Sequence, residues 1–207
     1  AQLLPFPLPG LTTPPTSLQR NDQTAFGIEG DFLGGYTAQA NVFRHYYTNM
    51  PDSFGAITSS VANPASQKAT GSGISTAGPS YGLELLLKKK LTKRFGGLVS
   101  YTLSRSERRD GDARFDTGAL DRTHVLNVAA TVDLGRNWKT GARFLFYTGW
   151  PDVRTADDGT SRTVGRLPSF HRIDIRIEKR WNLSRTAWLS FVAEVMNLTV
   201  QSETIGY

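Results

Sequence analysis

The sequence of 207 residues reads as all-β: an antiparallel up-and-down meander of about eight strands belonging to a transmembrane β-barrel. Three observations predict this. Apolar side chains recur at every second position in segment after segment. The connections alternate short and long along the whole chain. Aromatic residues gather where those connections begin, as in the girdles that mark the two faces of a membrane.

Residues 1–22 hold Pro5, Pro7, Pro9, Pro14 and Pro15. Proline cannot donate to a ladder and breaks helices, so this stretch reads as a Pro-rich loop, extracellular on the barrel reading. Residues 23–207 are expected to carry the strands. Phe26, Ile28 and Phe32 alternate with Gly27, Glu29 and Asp31 in a first strand, Thr24 to Phe32. Leu33-Gly34-Gly35 is a tight turn, and Tyr36, Ala38, Ala40 and Val42 open the second strand of a hairpin.

The same alternation continues. Leu83, Leu85, Leu87 and Leu91 oppose Glu84, Lys88 and Lys90, and Val99, Tyr101 and Leu103 oppose Ser100, Thr102 and Ser104. Leu126, Val128, Ala130 and Val132 oppose Asn127, Thr131 and Asp133. Trp138, Ala142, Phe144 and Phe146 oppose Lys139, Gly141 and Arg143. Ile173, Ile175 and Ile177 oppose Arg172, Asp174, Arg176 and Glu178, so one side of that strand is greasy and the other fully charged. Leu189, Phe191, Ala193 and Val195 oppose Ser190 and Glu194 in the last strand.

A water-soluble sheet would put the charged side outward. A membrane barrel turns the apolar side to lipid and the charged side to the lumen. Connection lengths decide for the barrel. Leu33 to Gly35, Thr92 to Phe95, Gly135 to Asn137 and Asn182 to Thr186 are short, whereas 48–80, 107–123 and 148–170 are long loops. Long structureless loops are uncommon in compact soluble domains but usual on the outer side of such barrels. Tyr36, Trp138, Trp150, Trp181 and Trp188 are the expected interface aromatics. Asp174, Arg176, Glu178 and Glu194 are expected to face the lumen and pair across strands, since unpaired buried charge is costly.

Composition closes other routes. No run of about 18 apolar residues exists, so no transmembrane helix is expected. There is no cysteine, which removes disulfide scaffolds and thiolate metal sites. His45, His124 and His171 lack metal-ligand spacing, so neither metal nor cofactor is expected. Asp121 and Ser169 lie near His124 and His171 in sequence, but chance explains this and no enzyme is expected. The net charge of +6 raises nucleic acid as a partner, but solvated loop arginines account for it and no nucleic-acid partner is expected. Ala1 to Gly10 lacks a positive n-region, so the chain reads as a processed form or a fragment.

The order of segments resembles the C-terminal barrel portion of TonB-dependent outer-membrane receptors. A degenerate form of a segment common in that family spans Leu18 to Glu29. Tyr81-Gly82-Leu83-Glu84-Leu85 is similar to a G-x-E-L strand, and Ser100-Tyr101-Thr102-Leu103-Ser104 to S-Y-T-x-S. Arg122-Thr123-His124-Val125-Leu126-Asn127 is similar to R-x-x-H-x-x-N. Leu167 to Arg176 resembles L-P-x-x-x-x-x-D-x-R, and Val195-Met196-Asn197-Leu198 resembles V-x-N-L. The resemblance covers nearly the whole chain. It implies a barrel of about 22 strands in the bacterial outer membrane, with an N-terminal plug, importing a scarce nutrient such as an iron–siderophore complex or cobalamin and driven through TonB. No plug, no TonB box and no closing strand after Asn197-Leu198 can be read in these residues.

Expected partners are therefore outer-membrane lipid and lipopolysaccharide, the remaining strands and plug, TonB, and a small-molecule substrate. Arg105, Arg108, Arg109 and Arg114 in one long loop, and Arg154, Arg162 and Arg166 in the next, are candidate ligand-binding residues together with Tyr147 at the rim. Guanidinium groups bind carboxylate and phosphate in a fork, which suits an anionic ligand or lipopolysaccharide. The plainer alternative is solvated charge beside Asp110, Asp112, Asp157 and Asp158. A self-contained eight-stranded barrel with a structural or adhesion role is the alternative function. Against it, the loop alternation puts both ends of the strand series outside the cell, so the first and last strands should each have a further partner.

Overall fold

The computed structural model describes residues 19–51, 75–92, 94–110, 114–118, 120–155 and 161–204. Its elements are β1 (Arg20–Phe32), β2 (Tyr36–Pro51), β3 (Ser75–Lys89), β4 (Phe95–Asp110), β5 (Asp116–Thr117), β6 (His124–Gly135), β7 (Trp138–Tyr147), β8 (Pro151–Thr155), β9 (Ser161–Arg166), β10 (Phe170–Asn182) and β11 (Trp188–Val195). The main sheet runs β1-β2-β3-β4-β6-β7-β10-β11, with β5 hooked onto β4, and β8-β9 form a separate hairpin. Every pair is antiparallel, and the fold is all-β. The eight meander strands are thus those the period-two pattern marks. Among the described residues β1 pairs only with β2 and β11 only with β10, so the sheet is open.

Directly opposed residues in a ladder point to the same side. Following the register across the sheet therefore traces two faces. Ile28, Ala40, Leu85, Tyr101, Leu126, Phe146 and His171 form one cross-sheet row. Val99, Val128, Phe144 and Ile173 form the next row. On β11, Val195 and Ala193 oppose Ile175 and Ile177. The result is one continuous apolar face over all eight strands. Nothing in the described structure packs on it: Phe26, Ile28, Leu85, Ile175, Phe191 and Val195 are all exposed. Among the described residues few side chains are buried, and Leu167 and Phe170 are the buried large hydrophobics.

The opposite face is polar. Gln39, Asn41, Glu84, Ser100 and Thr102 stand on it, and two open hollows lie there. Small residues let bulkier neighbours lie flat. A Cβ on Gly82 would meet the Phe43 ring at 2.8 Å, so the missing side chain makes room for that ring.

The short turns all lie at one end of the sheet. Gly34 and Gly35 take φ of 84° and 76°, a left-handed conformation that glycine adopts without strain. Gly135, Arg136 and Asn137 are also left-handed, at 81°, 51° and 62°, which matches the twist of a tight hairpin. In the last turn the Ser184 hydroxyl accepts from the amides of Thr186 and Ala187.

The long connections differ from the expectation of plain loops. β2 and β3 continue to Pro51 and from Ser75, and β4 continues to Asp110. β5 adds to β4 inside the expected loop 107–123, and the β8-β9 hairpin fills much of 148–170. β1 starts at Arg20, inside the stretch read as loop, because Arg20, Asn21 and Asp22 pair with Thr48, Tyr47 and Tyr46. The apolar alternation stops at these places while backbone pairing continues, and pairing needs no apolar side chain. Residues 1–18 of the expected loop 1–22, and most of 48–80, lie outside the described residues. β3 ends at Lys89, so Leu91 falls beyond the strand face to which the alternation assigned it.

Candidate ligand face and its two rims

The charged row expected on β10 and β11 stands together on the polar face. Arg176 opposes Glu194 in register, and their ions lie 3.7 Å apart. The remaining pairs run along the strand: Arg172 with Asp174 at 3.0 Å and Arg176 with Glu178 at 3.4 Å. Glu178 also accepts from Ser190 at 3.1 Å, and Asp174 accepts the Asn197 amide at 2.8 Å. Asp174 is buried, and these bonds replace the water it has lost.

At the long-loop end the candidate arginines do not converge. Arg105 contacts Glu107 at 3.2 Å and the Thr117 hydroxyl at 3.1 Å. Arg109 lies 5.0 Å over Phe115, and Arg114 is exposed. Arg108 points to the other face, 5.1 Å over the Tyr47 ring, donating to the carbonyls of Glu107 and Pro79. Burial pulls its guanidinium below the usual arginine range, and Tyr47 opposes that shift. Arg154 pairs with Asp152 on the β8-β9 hairpin, and Arg162 sits opposite it in register on β9.

Arg166 is a structural bolt. It donates to the buried carboxylate of Asp121, to the Thr123 hydroxyl, and to the carbonyls of Asp121 and Gly149. Asp121 also accepts the Ser106 amide. This cluster ties the β4-β6 connection to the β7-β10 connection. A Cβ on Gly149 would stand 2.0 Å from the Leu167 carbonyl, so only glycine lets the two strands of that connection close.

Tyr147 belongs to a second cluster that the sequence reading missed. Its ring stacks on Phe170 at 5.0 Å and lies 3.8 Å from the Arg122 guanidinium, which also faces Trp150 at 5.2 Å. Arg122 is ion-paired with Glu203 at 2.7 Å. Glu203 comes from the segment after β11, which continues not as a strand but as a turned segment. Asn197 and Val200 take φ of 54° and 51°, and Gln201 bonds the His171 amide and the Ser169 carbonyl. Gln201 and Glu203, which break the strand alternation in sequence, fasten this segment together with Asn197, Leu198 and Thr199.

A third group lies along β2 on the polar face. Phe43 and His45 meet edge to face at 5.5 Å, and His45 Nδ1 lies 3.3 Å from the Tyr47 hydroxyl. His124 is bonded to Tyr101 at 2.8 Å on the apolar face. Among the described residues no group of His, Asp and Glu converges as a metal site would require.

The short-turn end holds most of the expected interface aromatics. Tyr36, Trp138 and Trp181 lie on the apolar face by register. Trp188 opposes Asn182 and so falls on the polar face, 4.3 Å from the Arg180 guanidinium. Trp150 lies at the other end, over Arg122. The same short-turn end is rich in cations. Lys88, Lys89, Lys90 and Arg94 bracket the second turn, and Arg136 and Lys139 the third. Lys179, Arg180 and Arg185 bracket the fourth, against only Asp31, Asp133 and Glu178. Away from this rim the two signs are close to balanced, so the net +6 resides here rather than in the long loops. The run Lys88-Lys89-Lys90 beside an aromatic-flanked turn was the available signal.

Comparison of the chain with protein-family models, with characterised proteins and with solved structures finds no match.

Proposed function

We propose that this chain is barrel wall from a TonB-dependent outer-membrane transporter that takes up a scarce nutrient, such as an iron–siderophore complex or cobalamin. One observation carries the reading: an eight-strand meander with a continuous apolar face and two edge strands that, among the described residues, are each paired on one side only. Such a face needs lipid or an equivalent apolar cover. In lipid a free strand edge leaves a row of unpaired N–H and C=O groups, each costing on the order of several kcal/mol, so further strands must continue the sheet at β1 and β11. The polar face then lines the lumen, the short turns face the periplasm, and the long connections form the mouth. A self-contained eight-stranded barrel would need β1 zipped to β11. In the described sheet each has a partner on one side only.

The test is uptake by cells carrying the whole polypeptide from which the chain comes, under iron or cobalamin limitation. Accumulation of labelled ferric siderophore or cobalamin should require the polypeptide and stop when the inner-membrane proton gradient is collapsed. Accumulation indifferent to both would overturn the assignment.

A further inference from the structure

We infer that the apolar face carries, at its short-turn rim, two seats for the phosphate of an anionic phospholipid, one centred on Lys89 and one on Lys179. The inference rests on the reading that this face meets lipid.

The two places are built alike. Lys89 Nζ lies 4.5 Å from the Tyr36 ring centroid and 5.6 Å from that of Phe95. Lys179 Nζ lies 5.1 Å from Trp138 and 6.0 Å from Trp181. In both, register puts the lysine and its aromatics on the apolar face, beside a short turn. Each ammonium is aimed by one hydrogen bond, Lys89 to the Tyr36 hydroxyl at 2.9 Å and Lys179 to the Arg136 carbonyl. An ammonium has three donors, so each retains two.

Neither lysine has a carboxylate within ion-pair distance among the described residues, where the ion pairs are all made by arginine. A lysine held against an apolar surface between two rings sits where head groups begin, with its charge uncompensated. A phosphate oxygen supplies both the counter-charge and the two acceptors. The surroundings choose the lipid. Lys90 and Arg94 flank the first place in sequence, Arg136 supplies the carbonyl at the second, and Arg185 stands in the turn that follows β10. A zwitterionic head group would bring its own ammonium among these cations and be repelled. An uncharged glycerol head group on the phosphate would not. At the long-loop end, by contrast, Arg166, Arg122, Arg105 and Arg154 are held by Asp121, Glu203, Glu107 and Asp152.

The experiment uses the whole polypeptide reconstituted in phosphatidylcholine vesicles containing spin-labelled phosphatidylglycerol or spin-labelled phosphatidylcholine. The wild type should restrict the motion of phosphatidylglycerol severalfold more than that of phosphatidylcholine. Lys89→Gln with Lys179→Gln should bring the ratio close to one. Lys88→Gln with Lys139→Gln removes the same charge from the polar face of the same rim and should leave the ratio near wild type. Equal loss from both pairs would overturn the seats in favour of general electrostatics. Equal restriction of both lipids by the wild type would also overturn them while leaving the lipid-facing reading intact. No restricted lipid of either kind would overturn that reading as well. Displacement of phosphatidylglycerol by lipopolysaccharide, and not by excess unlabelled phosphatidylglycerol, would reassign the phosphate source and defeat the proposal.

Discussion

Asp121 is a carboxylate in a connection, and it is almost completely buried, at 2% exposure. Its burial is tolerable because Arg166, Thr123 and the Ser106 amide all donate to it. Asp121→Ala removes the acceptor and leaves a partly buried guanidinium without its counter-ion, a change worth about 3 kcal/mol. The loss should be local. Limited proteolysis should cut the β4-β6 and β7-β10 connections faster, while amides in β6 and β7 stay protected from hydrogen exchange. Loss of protection throughout the sheet would show that the bolt supports more than the two connections it joins. Sequence reading grouped Arg166 with ligand-seeking arginines because charge in a long loop looks alike whether or not it is paired. Its partner lies 45 residues away, beyond the reach of any local pattern. Tyr147 was picked out, but Arg122 and Glu203 were not, for the same reason: their separation is 81 residues.

Among the strands, β10 shows how a period of two divides labour between faces. Ile175 and Ile177 stand on the apolar side, and Asp174, Arg176 and Glu178 on the other. If the apolar side meets lipid, Ile175→Arg should cost about 2–4 kcal/mol, depending on its depth. Arg176→Gln loses only half-exposed ion pairs and should cost no more than about 1 kcal/mol. Urea titration of the whole polypeptide folded in vesicles separates the two; equal and small effects would mean that Ile175 faces water. The strands carrying this division were legible because side-chain alternation is itself the signal of a half-exposed strand. β8 and β9 were not legible. They form a hairpin held by its own ladder and by Asp116, whose carboxylate accepts the Thr163 amide, and no apolar face marks it. At Trp188 one position decides the face, and an aromatic at a strand's first residue looks like a girdle member from either side.

For the whole molecule, the edges of β1 and β11, each paired on one side only among the described residues, set the behaviour. The chain refolded alone in detergent should associate through those edges, giving oligomers rather than a compact monomer on size-exclusion chromatography. A monodisperse monomer in which the amides of β1 exchange slowly would contradict the open sheet and revive the eight-stranded barrel. Sequence logic foresaw an unclosed meander from the parity of its loops. The meander also has a kinetic consequence. Apart from the small additions in the long connections, every ladder of the main sheet joins a strand to the next one along the chain. The sheet can therefore grow hairpin by hairpin, each finished edge templating the next strand, with no distant segment to be found first. Closure entropy rises only as the logarithm of loop length, about 0.6 kcal/mol per doubling. The long connections can thus lengthen, shorten or acquire a hairpin such as β8-β9 with little effect on assembly. The sheet dictates its own order of construction and leaves the long connections free to diversify.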